Sequence, residues 1–432
     1  MIKRVLIIFA LTLVMSAFLF PISFTFLPQG INSKILVGVF GIIALVYDSI
    51  RNHQMILSEP TIFAGLFAAT FSVWCLYAVT SSSTYDTIYA DYIVSFFTWM
   101  ISAYGVCAAL RIFHEKVDLE IITRYLLLAC VFQCFTAILI DNNAAFASFV
   151  DSFMDQGQDF YKRGHRLYGL GAALDPAGIR FSVVLVMAAY IFSSCQNVRD
   201  HSLYQVSILV AFTIITLIGT VISRTTILGA SLSLIYIIIA LFRMRKGGFV
   251  TTRMVQIFFW FFIVMAGIIG TVIYLYQRND TFHGYLRFGF EAFFNWVETG
   301  EFSTNSTDVL ETMWVWPDDL HTWIFGRGTF GVFDNGTDIG YCNFTLYCGL
   351  VGMVIFSLFF IYCHLVQRRK FKEFGFISIL LIILTFAIWI KVTTDIFFID
   401  ALLFCAAGDH VGEENSIQDP DHAIPDTVDQ PL

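Results

Sequence analysis

Apolar stretches about as long as a bilayer is thick recur along this chain, and no other feature limits its fold so sharply. A hydrocarbon core of about 30 Å needs about 20 helical residues to cross it, and backbone amides without water must pair inside their own segment. Runs of this kind lie at 5–26, 33–47, 61–80, 92–110, 121–140, 177–195, 204–222, 225–242, 254–276, 340–363, 374–390 and 394–407. The last two form one apolar stretch interrupted by Lys391, Asp395 and Asp400. As a single helix it would extend about 50 Å, so it is divided at 391–394. The pattern predicts an all-α, polytopic integral membrane protein of about 12 transmembrane helices, embedded in a lipid bilayer.

Composition closes off the other classes. Hydrophobic residues make up 57% and charged residues 13%, whereas a soluble domain carries about 25% charge. A net charge of −8 without a basic stripe excludes nucleic acid as a partner. Lys3 and Arg4 ahead of the first run look like the start of a signal peptide, but the apolar stretch is long and no small-x-small cleavage site follows. An uncleaved first span is expected.

With the N-terminus in the cytoplasm, fifteen of the 25 Lys and Arg residues fall in short cytoplasmic connections, among them Arg51, Arg111, Arg243, Arg368 and Lys370. This orientation leaves two long external loops, 141–176 and 277–339, rich in Trp, Tyr, Phe and Gly. Loops of that length are functional or disordered, and these read as ordered lids over a transmembrane domain covering 1–407. The tail, 408–432, has seven acidic residues and no Lys or Arg, and is expected to be disordered. The nine cysteines include no C-x-x-C and read as packing residues. Neither a metal site nor a cofactor is expected.

Chemistry concentrates in and beside the external loops. Arg166 and Arg180 bracket a Gly-rich turn with Asp175-Pro176 at the start of the sixth run. Guanidinium forks beside a helix N-terminus suit a phosphate; the alternative is that Asp175 caps the helix and Arg180 anchors to lipid headgroups. Arg224 stands in the tight Ser223-Arg224-Thr225 hairpin, where it can hold a phosphate or a headgroup. Residues 282–298 have helical apolar spacing, with Arg287, Glu291 and Asn295 on the other face. A surface helix with an intrahelical Arg287–Glu291 pair is the simpler reading. Beyond it stand Glu311, Trp314, Trp316, His321 and Trp323. Aromatic faces beside carboxylates suit sugar rings and general-base chemistry, and a membrane-boundary aromatic belt gives the same composition.

The segments Phe325-Gly326-Arg327-Gly328-Thr329-Phe330-Gly331, Asp338-Ile339-Gly340-Tyr341 and Gly349-Leu350-Val351-Gly352 resemble the late region of bacterial polysaccharide polymerases of the O-antigen polymerase and ligase superfamily. Arg166-x-x-Gly169, Asp175-Pro176 and the Ser223-Arg224-Thr225 hairpin add to the likeness, which covers roughly 160–400. The resemblance implies a GT-C-like membrane glycosyltransferase at the outer face of the bacterial inner membrane. Its substrate would be an oligosaccharide on polyprenyl pyrophosphate, used without a metal. A chain-length regulator in the membrane would be a partner.

On that resemblance Arg166, Arg180, Arg224, Arg278, Arg287 and Arg327 would hold the pyrophosphate. Trp314, Trp316, Trp323 and Tyr168 would face sugars, and Asp338, His321 or Glu311 would act on the acceptor hydroxyl. Where the ligase branch has a His-Asn pair, eleven residues ahead of its Gly-Leu-Ile-Gly element, this chain has Asp338, which favours a polymerase. Arg278 and Gly289 match an Arg-x10-Gly spacing of some polymerases, one that chance also supplies. The alternatives are a ligase that moves finished glycan to another acceptor, and a transporter or flippase. Transporters place ionisable residues at mid-membrane, and only Lys391, Asp395 and Asp400 fit that description.

Overall fold

Burying a backbone in hydrocarbon leaves the helix as the way to pair its amides in sequence, and the apolar runs are helices in the computed structural model. It describes residues 2–28, 30–52, 58–154, 166–246, 280–371 and 375–407, with isolated positions between 259 and 274. The helices of six residues or more are α1 Ile2–Leu19, α2 Ser33–Asn52, α3 Glu59–Ser81, α4 Tyr92–Arg111, α5 Leu119–Asn142, α6 Ala144–Phe153, α7 Leu174–Ser194, α8 Ser202–Ile222, α9 Thr226–Lys246, α10 Asp280–Gly289, α11 Glu291–Thr299, α12 Asn305–Thr312, α13 Leu320–Phe325, α14 Gly340–Lys370, α15 Gly375–Ile388 and α16 Phe397–Cys405. Strand-type bridging among the described residues is confined to Ser23–Asn32 and Phe24–Met154.

Among the described residues eight helices are long and apolar enough to cross a membrane: α1 to α5, α7, α8 and α14. The expectation of about 12 is not met there. The apolar part of α9, together with α15 and α16, is shorter than a full span, and the run at 254–276 and the acidic tail at 408–432 lie outside the described residues. The long apolar stretch does break, α15 ending at Ile388 and α16 starting at Phe397. The described residues of the two long loops, 141–176 and 277–339, include several short helices. The amphipathic stretch is two helices, α10 and α11, divided at Phe290, so Arg287 and Glu291 do not share one helix.

Burial orders the bundle. In α7, 89% of the apolar window is buried against 17% in α2, which makes α7 central and α2 peripheral. Helices α5, α8 and α9 pack around α7, α2 lies along α4, and α14 lies along α3. Outward-facing Phe9, Val39, Ile43, Leu66, Phe97, Ile235 and Val354 are exposed. Such an apolar exterior on a buried polar-poor core belongs in lipid. The protein is a multi-pass membrane protein.

The two ends of the bundle are held differently. At one end Ser33 Oγ donates to Ala17 O, Thr84 Oγ1 to Gly328 O and Tyr347 OH to Asp86 O, each at 2.7 Å. At the other, Arg111 donates to Cys405 O at 2.7 Å and Lys370 Nζ to Leu403 O at 2.7 Å. These cations pair the last carbonyls of α16, which a helix terminus leaves unsatisfied.

Candidate functional site

The Gly-rich segment at 325–331 is positioned by a break in α14. Gly349 has φ 67° and ψ 179°, a conformation essentially reserved for glycine. The break frees the preceding carbonyls, and neighbouring groups take them up. Arg327 N donates to Leu346 O at 2.7 Å, Gly328 N to Tyr347 O at 3.0 Å and Trp74 Nε1 to Cys348 O at 2.8 Å. The Arg327 guanidinium turns back to Asn335 Oδ1 at 2.7 Å. Asn335 is 4% exposed and also bonds Thr329 and Asn343. This segment therefore builds the wall beside the site, and Arg327 braces its own turn.

Beside that wall lies a partly open cavity of about 340 Å³ lined by Tyr89, Trp99, Pro176, Arg180, Phe330 and Asp395, among others. The break between α15 and α16 supplies Thr393, Thr394 and Asp395 to it. Arg180 lies 5.9 Å from the Phe20 ring. It makes no hydrogen bond or ion pair within the described residues, though Asp395 is within electrostatic reach. Lys34 Nζ sits 4.0 Å from the centroid of Trp99, and feels both Arg180 and Asp395. Arg180 and Asp395 thus line one space, and Lys34 stands over Trp99, one of its lining rings.

The cavity rim is fastened by Asp175. Its Oδ1 accepts from Thr225 Oγ1 at 2.6 Å, Ser223 Oγ at 3.2 Å and Lys391 Nζ at 2.7 Å. The residues flanking Arg224 are therefore tied to α7 and to the α15–α16 break together. Arg224 pairs with Glu291, and its guanidinium lies 4.5 Å from the Phe288 ring. Arg166 lies 4.9 Å from the same ring. Helices α10 and α11 thereby sit over the hairpin, with Tyr285 also donating to Asp141. Burial and that carboxylate raise the Tyr285 phenol above its ordinary range.

Asp175 does not cap α7 with its side chain, because Ala173 occupies the cap position. Arg287 does not pair with Glu291. It bonds Glu298 at 2.5 Å and Asn295 at 3.1 Å, and the bond to Arg287 lowers the Glu298 carboxyl. Arg278 lies outside the described residues.

The aromatic segment forms a strip: Trp316 and Trp323 stack with centroids 5.5 Å apart and planes 12° apart, and Trp314 lies 5.8 Å from Trp316. Trp314 and Trp316 are exposed. Asp319 caps α13 by accepting from Thr322 N at 2.8 Å and Thr322 Oγ1 at 2.7 Å, and these bonds lower its carboxyl. His321 lies against Phe325, centroids 5.1 Å apart. Glu311, His321 and Asp338 are exposed. Tyr168 is 4% exposed and packs in a small cluster with Ile140, Val150 and Met154.

Among the described residues no group of three His, Cys, Asp or Glu is arranged to hold a metal ion. The structure brings Arg166 and Arg224 to one ring and Arg180 to the cavity, while Arg287 and Arg327 bond neighbours of their own. Lys34, Phe288 and Glu291 as a partner of Arg224 were not legible. A cation at the first turn of a span, where one helix meets a long turn, is the signal that marks Lys34. Scans of protein-family models, curated proteins and solved structures find no match to this chain.

Proposed function

We propose that this chain is a membrane glycosyltransferase that joins polyprenyl-pyrophosphate-linked oligosaccharide repeats into a surface polysaccharide, at the outer face of a bacterial inner membrane with its N-terminus in the cytoplasm. The observation that carries the reading is Arg180, a guanidinium lining the cavity with no bonded anion among the described residues and with the Asp395 carboxylate in electrostatic reach. A guanidinium without a hydrogen-bonded anion there is costly, and a phosphate group supplies one. A cavity of about 340 Å³ matches the size class of small-ligand sites.

In this reading Arg180 and Lys34 hold the pyrophosphate, with Arg166 and Arg224 at the rim. The acceptor hydroxyl oxygen attacks the anomeric carbon, the bond from that carbon to the phosphate oxygen breaks, and the lipid pyrophosphate leaves with the bonding electrons. The cations stabilise the charge that develops on it. Asp395 joins Asp338, His321 and Glu311 as a candidate for receiving the hydroxyl proton, and it is the one that lines the cavity. The exposed Trp314–Trp316–Trp323 strip offers sugar platforms, and a chain-length regulator is a partner in the same membrane.

The test is the pattern of lipid-linked intermediates in cells lacking the gene. Single repeats accumulate, and long chains return with the wild-type gene but not with Arg180→Ala at equal protein level. Long chains of normal length in the Arg180→Ala strain refute the assignment, and lipid-linked chains that lengthen in the deletion indicate a ligase. The broken α15–α16 segment gives the transporter reading one observation of its own. It predicts that repeats accumulate on the cytoplasmic leaflet instead.

A further inference from the structure

A second polar cluster lies away from the cavity, in the packed interior between α14, α15 and α16. His364 on α14 and Asp400 on α16 are both 0% exposed, with Nδ1 and Oδ1 3.0 Å apart. Thr385 on α15 lies on the other side of the imidazole: its hydroxyl donates to Leu381 O at 2.9 Å and is 3.4 Å from His364 Nε2. A ring nitrogen and a carboxyl oxygen 3.0 Å apart in an apolar interior hold together only with a proton between them, which either group can carry.

The surroundings are unusually unsatisfied. Beyond this contact neither Asp400 oxygen nor either amide atom of Gln367 has a hydrogen-bond partner among the described residues. Gln367 is 0% exposed and sits one turn along α14 from His364. A further turn on, Lys370 bonds the carbonyls of Leu403 and Phe404, so this side of α14 faces α16. Buried polar groups are nearly always paired, and an intramembrane ionisable pair marks function more often than packing.

We propose that His364 and Asp400 form an intramembrane proton-binding site, with Gln367 as its polar neighbour, whose occupancy holds or releases α16. With one shared proton the pair is neutral and joined; gain or loss of a proton leaves a net charge in the apolar interior, a cost that opening the α14–α16 contact relieves. Helix α16 carries Phe398 into the cavity wall and follows Asp395 directly, so the proton site acts on the cavity from behind. The other titratable groups around the pair are Cys363 on α14, Asp395 ahead of α16, and Tyr92 and Cys107 on α4. Lys370 is occupied at the carbonyl end of α16. The inference does not rest on the glycosyl-transfer reading.

The experiment uses the full chain in lipid nanodiscs, titrated between about pH 5 and 9, the range in which histidine ordinarily changes charge. Infrared difference spectra are expected to show a buried carboxyl signal and an imidazole signal changing together. Both are lost in Asp400→Asn, and the coupled change is lost in His364→Gln, which carries the assignment if Asp400→Asn does not fold. Hydrogen exchange across 395–405 is expected to rise at the same pH in wild type and to be pH-independent in His364→Gln. A wild-type spectrum without any carboxyl change overturns the proton site, and exchange that stays constant while the spectrum changes overturns its control of α16.

Discussion

Replacing Gly349 by alanine tests whether the broken α14 is the scaffold on which the cavity wall hangs. A Cβ at Gly349 would stand 2.6 Å from Phe325 N and closer still to Ile324 O and C, against an ordinary contact of 3.4 Å or more. These are backbone atoms, so no rotamer change relieves the contact, and α13 must move by about 0.8 Å or more. Such a shift strains three hydrogen bonds, Arg327 N to Leu346 O, Gly328 N to Tyr347 O and Trp74 Nε1 to Cys348 O. At about 1 kcal/mol each, with about 1–3 kcal/mol for the backbone conformation, the expected loss is about 4–6 kcal/mol.

Gly300→Ala is the matched control: its φ is +79° with nothing within 4 Å of the new methyl, so only about 1–2 kcal/mol is at stake. Thermal unfolding in detergent, followed by reaction of a thiol probe with buried cysteines such as Cys75, Cys107 and Cys130, reports both. Gly349→Ala is expected to melt roughly 4 °C below Gly300→Ala. Melting within about 1 °C of that control would refute the reasoning.

Three other outcomes follow from the segment at 280–325. Glu291→Gln removes the carboxylate held by Arg224 and is expected to tighten binding of inorganic pyrophosphate about tenfold, the equivalent of about 1.4 kcal/mol, by calorimetry; unchanged affinity removes Arg224 from the anion site. Trp316→Ala breaks the stack with Trp323 and is expected to weaken quenching of tryptophan fluorescence by the native oligosaccharide about two- to tenfold, whereas equal affinity would leave the strip a membrane-boundary belt. The Asp319 carboxyl is lowered by its bonds from Thr322, so the stability it lends α13 is complete above the ordinary carboxylate range and is lost as pH falls through the lowered value. Hydrogen exchange at 320–325 should therefore rise at acid pH in wild type, and Asp319→Asn should remove that dependence.

Solvent preference is a property each segment carries by itself, which is why the sequence alone determined the membrane class, the helices and the division of the last apolar stretch. The same holds for chemistry carried on one short segment: Arg224 in its hairpin and the three tryptophans within ten residues are legible without a partner. Pairing is another matter. Lys391 meets Asp175 across 216 residues, Arg224 takes Glu291 from a helix that a break at Phe290 re-aims, and Lys34 reaches the space beside Arg180 through Trp99. The Gly-rich segment at 325–331 pairs the carbonyls freed at Gly349, and His364 finds its proton partner on a different helix. Hydropathy sums over single residues and survives any arrangement of the spans. Which cation faces the cavity and which is neutralised depends on how the helices close against one another, and only the tertiary structure decided that.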